Sequence, residues 1–249
     1  MINVLINGSN GKMGQEVAKQ IEQMDNIQTI CGVTKDVKTE NKFPTYTNIQ
    51  DIKEKPDVII DFSIPTATFF ALEYAKEKKI PIVIATTGFT EEEENKIKEY
   101  SKYIPVFKSY NMSYETFVMA DVVAKLATLL KDSDIEILET HHNKKVDSPS
   151  GTAYILANKI NEAKNNSMVY EYNRHSRKGP RQKNEIGIHS IRGGTEVGKH
   201  TVMFFSDNES FEITHTVTSR SVFGKGAIKA AEFIINQPNG YYEMYDMIK

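Results

Sequence analysis

The sequence predicts an α/β protein in which a parallel-sheet domain is joined to a smaller α+β domain with a mixed, mostly antiparallel sheet. Three features lead to this class. Residues 1–112 alternate short apolar runs with helix-like stretches, which is typical of a buried parallel sheet. After residue 112 several runs alternate polar and apolar residues, as strands with one exposed face do. A glycine-rich turn joins the first predicted strand to the first predicted helix.

The elements of the first region follow from the spacing of apolar residues. Residues 12–24 place Val17, Ala18 and Ile21 at helical spacing. The acidic run 91–94 falls in the first turn of a predicted helix, where the helix dipole favours negative charge. The predicted strands are 2–7, 28–33, 56–63, 81–86 and 104–109, and the predicted helices are 12–24, 66–79 and 90–103.

The second region is predicted to be rich in strands. A long helix covers 114–132, and a last helix over 223–237 folds back onto the first domain. Between them the predicted strands are IEILETHH, SMVYEY, EIGIHSIR, HTVMFFS and SFEITHTVTS. The stretch 172–184 is basic and polar and is predicted to be a mobile surface loop, and IRGG at 191–194 is predicted to be a turn without a catalytic role.

Two domains follow from this change of pattern. Residues 1–112, completed by 221–249, form the predicted dinucleotide-binding domain, and 113–220 form the predicted substrate-binding and oligomerisation domain. Hinges are expected near 111–113 and 219–221, with the substrate delivered to the cofactor when the domains close. The open sheet of the smaller domain is expected to pair with copies of itself, because a one-sided sheet must cover its apolar face.

Composition narrows the classes of function. With 39% hydrophobic and 26% charged residues and a net charge of -2, the chain has neither the basic excess of a nucleic-acid-binding protein nor a charged tail for a membrane surface. A single cysteine, Cys31, cannot build a disulfide framework, which favours the reducing cytoplasm. The chain opens directly into an apparent strand, MINVLING, so no signal peptide is predicted.

The glycine turn predicts a Rossmann-type dinucleotide site. Gly8, Gly11 and Gly14 have the spacing G-x-x-G-x-x-G, one residue different from the common G-x-G-x-x-G. The first glycine allows a tight turn, the second lets the backbone approach a pyrophosphate, and the third lets the helix pack against the strand. The pyrophosphate would then meet free amides at the positive end of the helix dipole. A strand-to-helix turn without a ligand is the alternative.

Other loops at the carboxyl ends of predicted strands extend this site, because ligands bind outside those ends in open α/β sheets. Lysines at 35, 38 and 42 could neutralise a 2′-phosphate, whereas an acidic side chain there would favour NAD. The cofactor is therefore predicted to be NADH or NADPH, with the choice open. The candidate cofactor-binding residues are Gly8, Ser9, Asn10, Gly11, Lys12, Met13, Thr34, Lys35, Ala85, Thr86, Thr87, Ser109, Tyr110, Asn111 and Met112.

The stretch ETHHNKKVDSPSGT at 139–152 concentrates proton carriers and anion binders. Imidazoles titrate near neutral pH, so either His141 or His142 could pass a proton. If the backbone stays extended, only one of the two can face a substrate, because adjacent strand residues point to opposite faces. Lys145 could meet a carboxylate, and Lys144 is interpreted as solvated. A solvated polar loop is the alternative for the whole stretch.

The end of this stretch predicts an anion site. Ser150 is a plausible N-cap for the helical run AYILANKI, so the amides of Gly151 and Thr152 would point at an anion; a cap without a ligand is the alternative. Arg220 is a candidate second anion contact or hinge residue, and His200 could support the site or be an ordinary strand histidine. No metal site is predicted, because no histidine pair has H-x-x-x-H spacing and no C-x-x-C pair exists.

Five segments in chain order resemble the 4-hydroxy-tetrahydrodipicolinate reductase family, also called dihydrodipicolinate reductase. They are NGSNGKMG, ATTGF, ETHHNKKVDSPSGT, EIGIHSIRGG and ITHTVTSR. The resemblance covers essentially the whole chain, and HH-x-x-K-x-D-x-PSGT is its most specific part. It implies NAD(P)H-dependent reduction of 4-hydroxy-tetrahydrodipicolinate, a cyclic dicarboxylate, to tetrahydrodipicolinate with loss of water, in diaminopimelate and lysine biosynthesis.

The resemblance also implies roles for individual residues. His141 is then a proton donor or acceptor and Lys145 a proton donor, while His142 contacts the substrate together with Gly151 and Thr152. A homotetramer built through the sheets of the smaller domain is implied as well. Two other functions stay open, namely another amino-acid-pathway dehydrogenase on the same fold and a non-catalytic NAD(P)H sensor.

Overall fold

The computed structural model of the chain describes residues 1–36, 41–175 and 177–248. Its strands are β1 (Ile2–Asn7), β2 (Ile27–Val33), β3 (Thr45–Tyr46), β4 (Val58–Asp61), β5 (Ile82–Ile84), β6 (Pro105–Lys108), β7 (Asp134–His141), β8 (Val169–Glu171), β9 (Glu185–Arg192), β10 (Gly198–Ser206), β11 (Glu209–Val217) and β12 (Gly240–Tyr242). Its helices are α1 (Lys12–Ile21), α2 (Pro65–Lys78), α3 (Glu91–Tyr100), α4 (Tyr114–Leu129), α5 (Gly151–Ala163) and α6 (Ser221–Ile234).

The first sheet is a parallel Rossmann-type sheet, as predicted. In the described residues it has seven strands in the order β12-β6-β5-β4-β1-β2-β3, and all of the pairs between them are parallel. Val4, Leu5 and Ile6 of β1 are completely buried, as expected of a central strand covered on both faces. Because β1 pairs with both β2 and β4, the strand order reverses beside β1, which is where open α/β sheets bind ligands.

Local chemistry sets where the helices begin. Pro65 stands in the first turn of α2, where its missing N–H costs no hydrogen bond. Thr90 caps α3 through a reciprocal pair of hydrogen bonds with Glu93. On α1 the predicted apolar face is buried, including Val17 and Ile21, and the helix ends at Ile21, before the predicted residue 24.

The second sheet is mixed, with the order β11-β10-β7-β9-β8. Strand β10 pairs antiparallel with β7 and β11, whereas β9 pairs parallel with β7 and β8. Along β7 the burial alternates, so that Ile135, Ile137, Glu139 and His141 share a buried face. Helix α5 contacts β7, and its buried residues include Leu156. This inner face carries the polar groups described below.

The basic stretch 172–184 is held against this sheet rather than left free in solvent. Arg174 donates two hydrogen bonds of 2.8 Å to Glu136 on the outer face of β7. Arg177 forms a comparable pair with Glu185, and Arg181 donates to Glu136 through its Nε. The expectation of a mobile loop is therefore not supported for these arginines, because three ion-paired guanidinium groups fix the loop to strand carboxylates.

Contacts divide the chain into two compact units. Unit 1 comprises residues 1–113 and 221–249, and unit 2 comprises residues 114–220. Strands β3 and β12 were not predicted from the sequence, and both lie at the edges of the sheet in unit 1. Among the described residues, no helix combines the length and the apolar character that crossing a membrane requires.

Candidate active site

The turn after β1 has the close backbone packing that a dinucleotide site needs. Gly8 has a φ of +85°, and a Cβ there would lie 2.4 Å from the carbonyl oxygen of Phe62. A Cβ on Gly14 would lie 2.2 Å from the carbonyl oxygen of Gly8. Helix α1 begins after Gly11 without a side-chain cap, so backbone amides at its N-terminus are available to an anion. These residues fit the pyrophosphate of a nicotinamide dinucleotide.

A buried carboxylate beside this turn connects three loops. Asp61, the last residue of β4, is completely buried and accepts hydrogen bonds from Asn7 at 2.8 Å, Ser63 at 2.5 Å and Thr68 at 2.6 Å. Thr86 also bonds to it, and its Oγ1 accepts a hydrogen bond from the backbone N–H of Ser63. Burial raises the pKa of Asp61, although these hydrogen bonds oppose that shift. Asp61 therefore ties together the ends of β1, β4 and β5.

The predicted cofactor-binding residues lie at the carboxyl ends of β1, β2, β5 and β6, but their side chains differ in exposure. Thr87, Lys35 and Tyr110 are exposed. The side chains of Ser9, Thr86, Ser109 and Met112 are buried. Lys38 lies outside the described residues. The remaining members, which are at least partly exposed, are Gly8, Asn10, Gly11, Lys12, Met13, Thr34, Ala85 and Asn111.

The second polar cluster lies on the inner face of the sheet in unit 2. The register of β7 and β9 places His141 beside Arg192 and Glu139 beside Ser190. On the other side of β7, His200 of β10 stands beside Glu139. Paired residues in neighbouring strands share a face of the sheet, so these side chains converge although they are far apart in the sequence.

Glu139 is at the centre of this cluster. It is completely buried, and Arg192 donates to it through both Nη1 and Nη2 at 2.8 Å. His141 Nδ1 lies 2.5 Å from Oε2, and the backbone N–H of Ser150 donates to Oε1 at 3.2 Å. Burial by itself would raise the pKa of Glu139, but the hydrogen bonds led by Arg192 outweigh burial and hold the pKa at about 2. The carboxylate is therefore ionised at neutral pH.

The two histidines of the cluster are kept neutral by their surroundings. Burial lowers the pKa of His200 to about 3. Burial also lowers the pKa of His141, and the positive charges of Lys145 and Arg192 lower it further, against the opposing effect of Glu139. The two imidazole rings meet edge to face with centroids 5.1 Å apart. An uncharged His141 has one nitrogen that donates and one that accepts a hydrogen bond.

The loop after β7 carries the lysine and leads into a capped helix. Lys145 Nζ lies 2.7 Å from Asp147, and Arg192 Nη2 donates to the carbonyl oxygen of Asp147 at 2.7 Å. Ser150 caps α5, as predicted: its Oγ accepts from the N–H of Ala153 at 3.2 Å. The same Oγ lies 2.9 Å from His200 Nε2. Arg192 and Ser150 thus connect the loop to the sheet.

Glu139, His141 and His200 also bring possible metal-ligand atoms within 4.8 Å of one another. The charges around them oppose a cation, because the carboxylate is already paired with Arg192 and Lys145 adds a second positive charge. The cluster is better suited to an anionic ligand or to proton transfer.

Comparison with known proteins identifies the family. The family model described as dihydrodipicolinate reductase, N-terminus, matches residues 2–112, and the model described as dihydrodipicolinate reductase, C-terminus, matches residues 116–248. The chain belongs to the dihydrodipicolinate reductase family. It is an oxidoreductase of that family, as the sequence motifs predicted.

Relatives of this reductase match its sequence over 93% to 100% of the chain. A 4-hydroxy-tetrahydrodipicolinate reductase of Caldanaerobacter subterraneus is 45% identical, covering 100% of this chain and 99% of the relative. The reductase of the same name from Clostridium novyi is 41% identical with the same coverage. A Staphylococcus aureus reductase is 45% identical over 93% of this chain and 95% of its own length.

Solved structures show the same fold. A dihydrodipicolinate reductase from Paenisporosarcina sp., described as bound to dipicolinate, superposes with a TM-score of 0.83 at 23% identity and covers 100% of both chains. A myo-inositol dehydrogenase from Corynebacterium glutamicum superposes with a TM-score of 0.60 at 13% identity, covering 96% of this chain and 90% of its own. At these identities the likeness concerns the fold alone.

The structure places the predicted catalytic and substrate-binding residues of the reductase at three kinds of position. His141 and Ser150 lie in the buried cluster, and the positive charge of Lys145 lowers the pKa of His141. His142 follows the end of β7, where its Nδ1 accepts a hydrogen bond from the N–H of Lys144. Of the two adjacent histidines, His141 is therefore the one on the buried face of the strand. Three further predicted residues sit elsewhere: Gly151 and Thr152 lie in the first turn of α5, and Arg220 is exposed at the end of unit 2.

Three residues of these clusters were missed by the sequence analysis. Glu139 precedes His141 by two positions on an alternating strand, so the period of two could have placed both on one face. Arg192 stands in the segment that was assigned no catalytic role, and only the pairing of β7 with β9 brings it to Glu139. Asp61 ends a buried strand, which places a carboxylate at a switch point, but its partners come from other loops.

Proposed function

We propose that the chain catalyses NAD(P)H-dependent reduction of 4-hydroxy-tetrahydrodipicolinate to tetrahydrodipicolinate, with loss of water, in diaminopimelate and lysine biosynthesis in the cytoplasm. The full-length similarity to reductases of that name, at 41% to 45% identity, is the observation that carries the proposal. The chain keeps both the glycine turn and the proton carriers, which a non-catalytic sensor would not need together.

The proposal assigns the cofactor to unit 1 and the substrate to unit 2. When bound, the reduced nicotinamide supplies a hydride. Gly8, Gly11 and Gly14 allow the backbone to approach its pyrophosphate, and the N-terminus of α1 offers amides to it. Lys35 is exposed shortly after β2, where a lysine can pair with a 2′-phosphate, so use of NADPH as well as NADH is part of the proposal.

The residues that bind the substrate are assigned from their charge and from their place in the fold. The dicarboxylate is bound by the amides of Gly151 and Thr152 at the start of α5 and by the nearby Lys145. Lys145 Nζ donates the proton, His141 is the second proton carrier, as donor or acceptor, and His142 contacts the substrate. Arg220 is proposed as a second anion contact or hinge residue.

Steady-state oxidation of NADH and of NADPH tests the function. Each cofactor would be mixed with the purified protein and enzymatically generated 4-hydroxy-tetrahydrodipicolinate, and the loss of absorbance at the nicotinamide band would be followed. The proposal expects substrate-dependent oxidation of at least one cofactor. Cofactor binding without any oxidation would instead support a sensor, and the ratio of kcat/KM values decides the cofactor preference.

A homotetramer formed through the smaller sheet is also proposed. Strand β11 is largely exposed, with Phe211 50% exposed, and Phe205 of β10 is 41% exposed. Strand β11 also lies at the edge of its sheet, where unpaired backbone groups can pair with another chain. We expect light scattering to give the mass of four 28.3 kDa chains, and Phe211→Lys to reduce that mass. A monomer at micromolar concentration of the unaltered chain contradicts this part of the proposal.

Gly198→Ala should slow turnover by about tenfold. A Cβ at Gly198 would lie 3.1 Å from His141 Nε2, so the imidazole must shift by a few tenths of an ångström, and a misplacement of about 1 Å can cost about 10²-fold. The KM for the cofactor should not change. Gly193→Ala is the control, because a Cβ there meets nothing within 4 Å. Equal kcat values for the two variants would remove His141 from the assigned role.

A further inference from the structure

We propose that Glu139, held by Arg192, is a positioning residue that fixes the tautomer of His141, so that Nδ1 carries the proton and Nε2 is the acceptor. The inference rests on the proposed function for its catalytic consequence. The tautomer itself can be measured without turnover. It decides a point that the sequence leaves open, namely whether His141 donates or accepts a proton.

The first step is that Glu139 has no freedom to rotate or to change partners. A carboxylate offers about four acceptor positions, and Glu139 accepts from His141 Nδ1, both terminal nitrogens of Arg192 and the N–H of Ser150. The side chain of Ser190 also bonds to it. The carboxylate is completely buried, so losing one of these partners would leave an unsatisfied charge without water.

The second step concerns the proton between Glu139 and His141. An ionised carboxylate can only accept hydrogen bonds. Its bidentate pair with Arg192 keeps it ionised at neutral pH. The 2.5 Å contact with His141 Nδ1 is therefore an N–H···O hydrogen bond in which the imidazole donates. In the neutral imidazole, the lone pair is then on Nε2.

The third step is that the groups around His141 disfavour a second proton on the ring. Glu139 on β7 attracts one, but Arg192 on β9 and Lys145 in the loop repel it. The ring of His200 on β10 packs edge to face against His141 and is itself buried. Burial adds to the two positive charges, and together they outweigh Glu139. His141 is thus a neutral acceptor at Nε2, which leaves Lys145 as the group that donates the proton.

Long-range ¹H–¹⁵N NMR of the histidine side chains tests the tautomer in the unaltered protein. The spectrum distinguishes a protonated Nδ1 from a protonated Nε2, and His141→Gln assigns the signal by its disappearance. We expect His141 with a protonated Nδ1 and a bare Nε2 at pH 7. A neutral ring with the proton on Nε2, or a doubly protonated ring at that pH, overturns the proposal.

Glu139→Gln tests the consequence. The amide oxygen of the glutamine can still accept a hydrogen bond from Arg192. In that orientation the amide NH₂ faces His141 and donates to Nδ1. Nδ1 is then the acceptor, and the proton of the neutral imidazole is on Nε2. We expect this reversed tautomer in the NMR spectrum, a fall in kcat of about 10²–10⁴-fold, as for a misdirected acid–base group, and an unchanged KM for the cofactor. Glu139→Asp keeps the carboxylate and should retain the Nδ1–H tautomer with a smaller loss of kcat.

Glu136→Gln is the matched control. Glu136 stands on the opposite face of the same strand and also bonds to a histidine, His189, and to the guanidinium of Arg174. Its replacement should leave the His141 tautomer and the pH profile of kcat/KM unchanged, whereas Glu139→Gln should alter both. Equal pH profiles for the two variants would show that Glu139 has only a structural role.

The outcomes separate this inference from the proposed function. If Glu139→Gln does not fold, the NMR spectrum of the unaltered protein still decides the tautomer. If the unaltered protein oxidises neither cofactor with the substrate, the proposed reaction fails, while the measured tautomer continues to support or contradict the role of Glu139.

Discussion

Lys145→Ala is expected to lower kcat by about 10²–10⁴-fold while cofactor binding stays nearly constant. A positioned proton donor contributes about that factor to the rate, and the methyl group of alanine cannot replace it. Lys145 is also proposed to bind a carboxylate of the substrate, so the substrate KM should rise when that contact is lost. Stopped-flow or steady-state oxidation of the nicotinamide, together with fluorescence titration of the cofactor, measures both quantities.

Lys144→Ala supplies the control for this result. Lys144 is the adjacent lysine, it is exposed, and it contributes a backbone N–H to His142 that the substitution keeps. Its replacement should leave kcat within about twofold. A normal kcat for Lys145→Ala would show that Lys145 is not the proton donor, and equal losses for the two variants would point to the charge of the whole loop instead.

Arg192→Met is expected to destabilise the protein by roughly 3 kcal/mol at neutral pH. Removing one partner of a buried ion pair leaves the other charge uncompensated, which costs about 3–5 kcal/mol, and the guanidinium here is 20% exposed, which moderates the loss. Arg192 also donates to the backbone of Asp147, so the loop that carries Lys145 should loosen. The midpoint of urea unfolding, followed by circular dichroism, measures the change.

The loss of stability in Arg192→Met should depend on pH, because it involves the ionised form of Glu139. The pKa of Glu139 is lowered in the folded protein to about 2 from an ordinary value of 4.5. Its contribution to stability is therefore complete above pH 4.5 and is lost as the pH falls towards 2. The difference between the unaltered protein and Arg192→Met should be largest near pH 7 and should shrink at pH 3.

A second arginine provides the comparison. Arg174→Met removes a similar bidentate partner from Glu136, but these side chains are 29% and 13% exposed, against 20% and 0% for Arg192 and Glu139. Glu136 also keeps Arg181 as a partner. We expect a smaller loss of stability for Arg174→Met. A larger loss there, or a loss for Arg192→Met that does not depend on pH, would contradict the assigned role of the Glu139 ion pair.

Much of the first sheet could be predicted because its signals are local. Strands β1, β4 and β6 come from short, mainly apolar runs of the sequence. Gly8 and Gly14 mark a turn whose backbone leaves no room for a Cβ. The edge strands β3 and β12 were missed, because two or three residues are too short to show a period. They form by pairing with the neighbouring strands, β3 with β2 and β12 with β6.

The candidate site likewise contains residues that local sequence indicates and contacts that only the tertiary structure brings together. The sequence by itself supplied the candidate proton carriers His141, His142 and Lys145 and the cap at Ser150, because titratable side chains, charges and capping preferences are properties of neighbouring residues. Only the tertiary structure decided that Arg192 and His200 reach Glu139, since they are contributed by β9 and β10 and meet it through strand register. Register depends on how whole faces of the sheet are buried, and no short stretch of sequence contains that information.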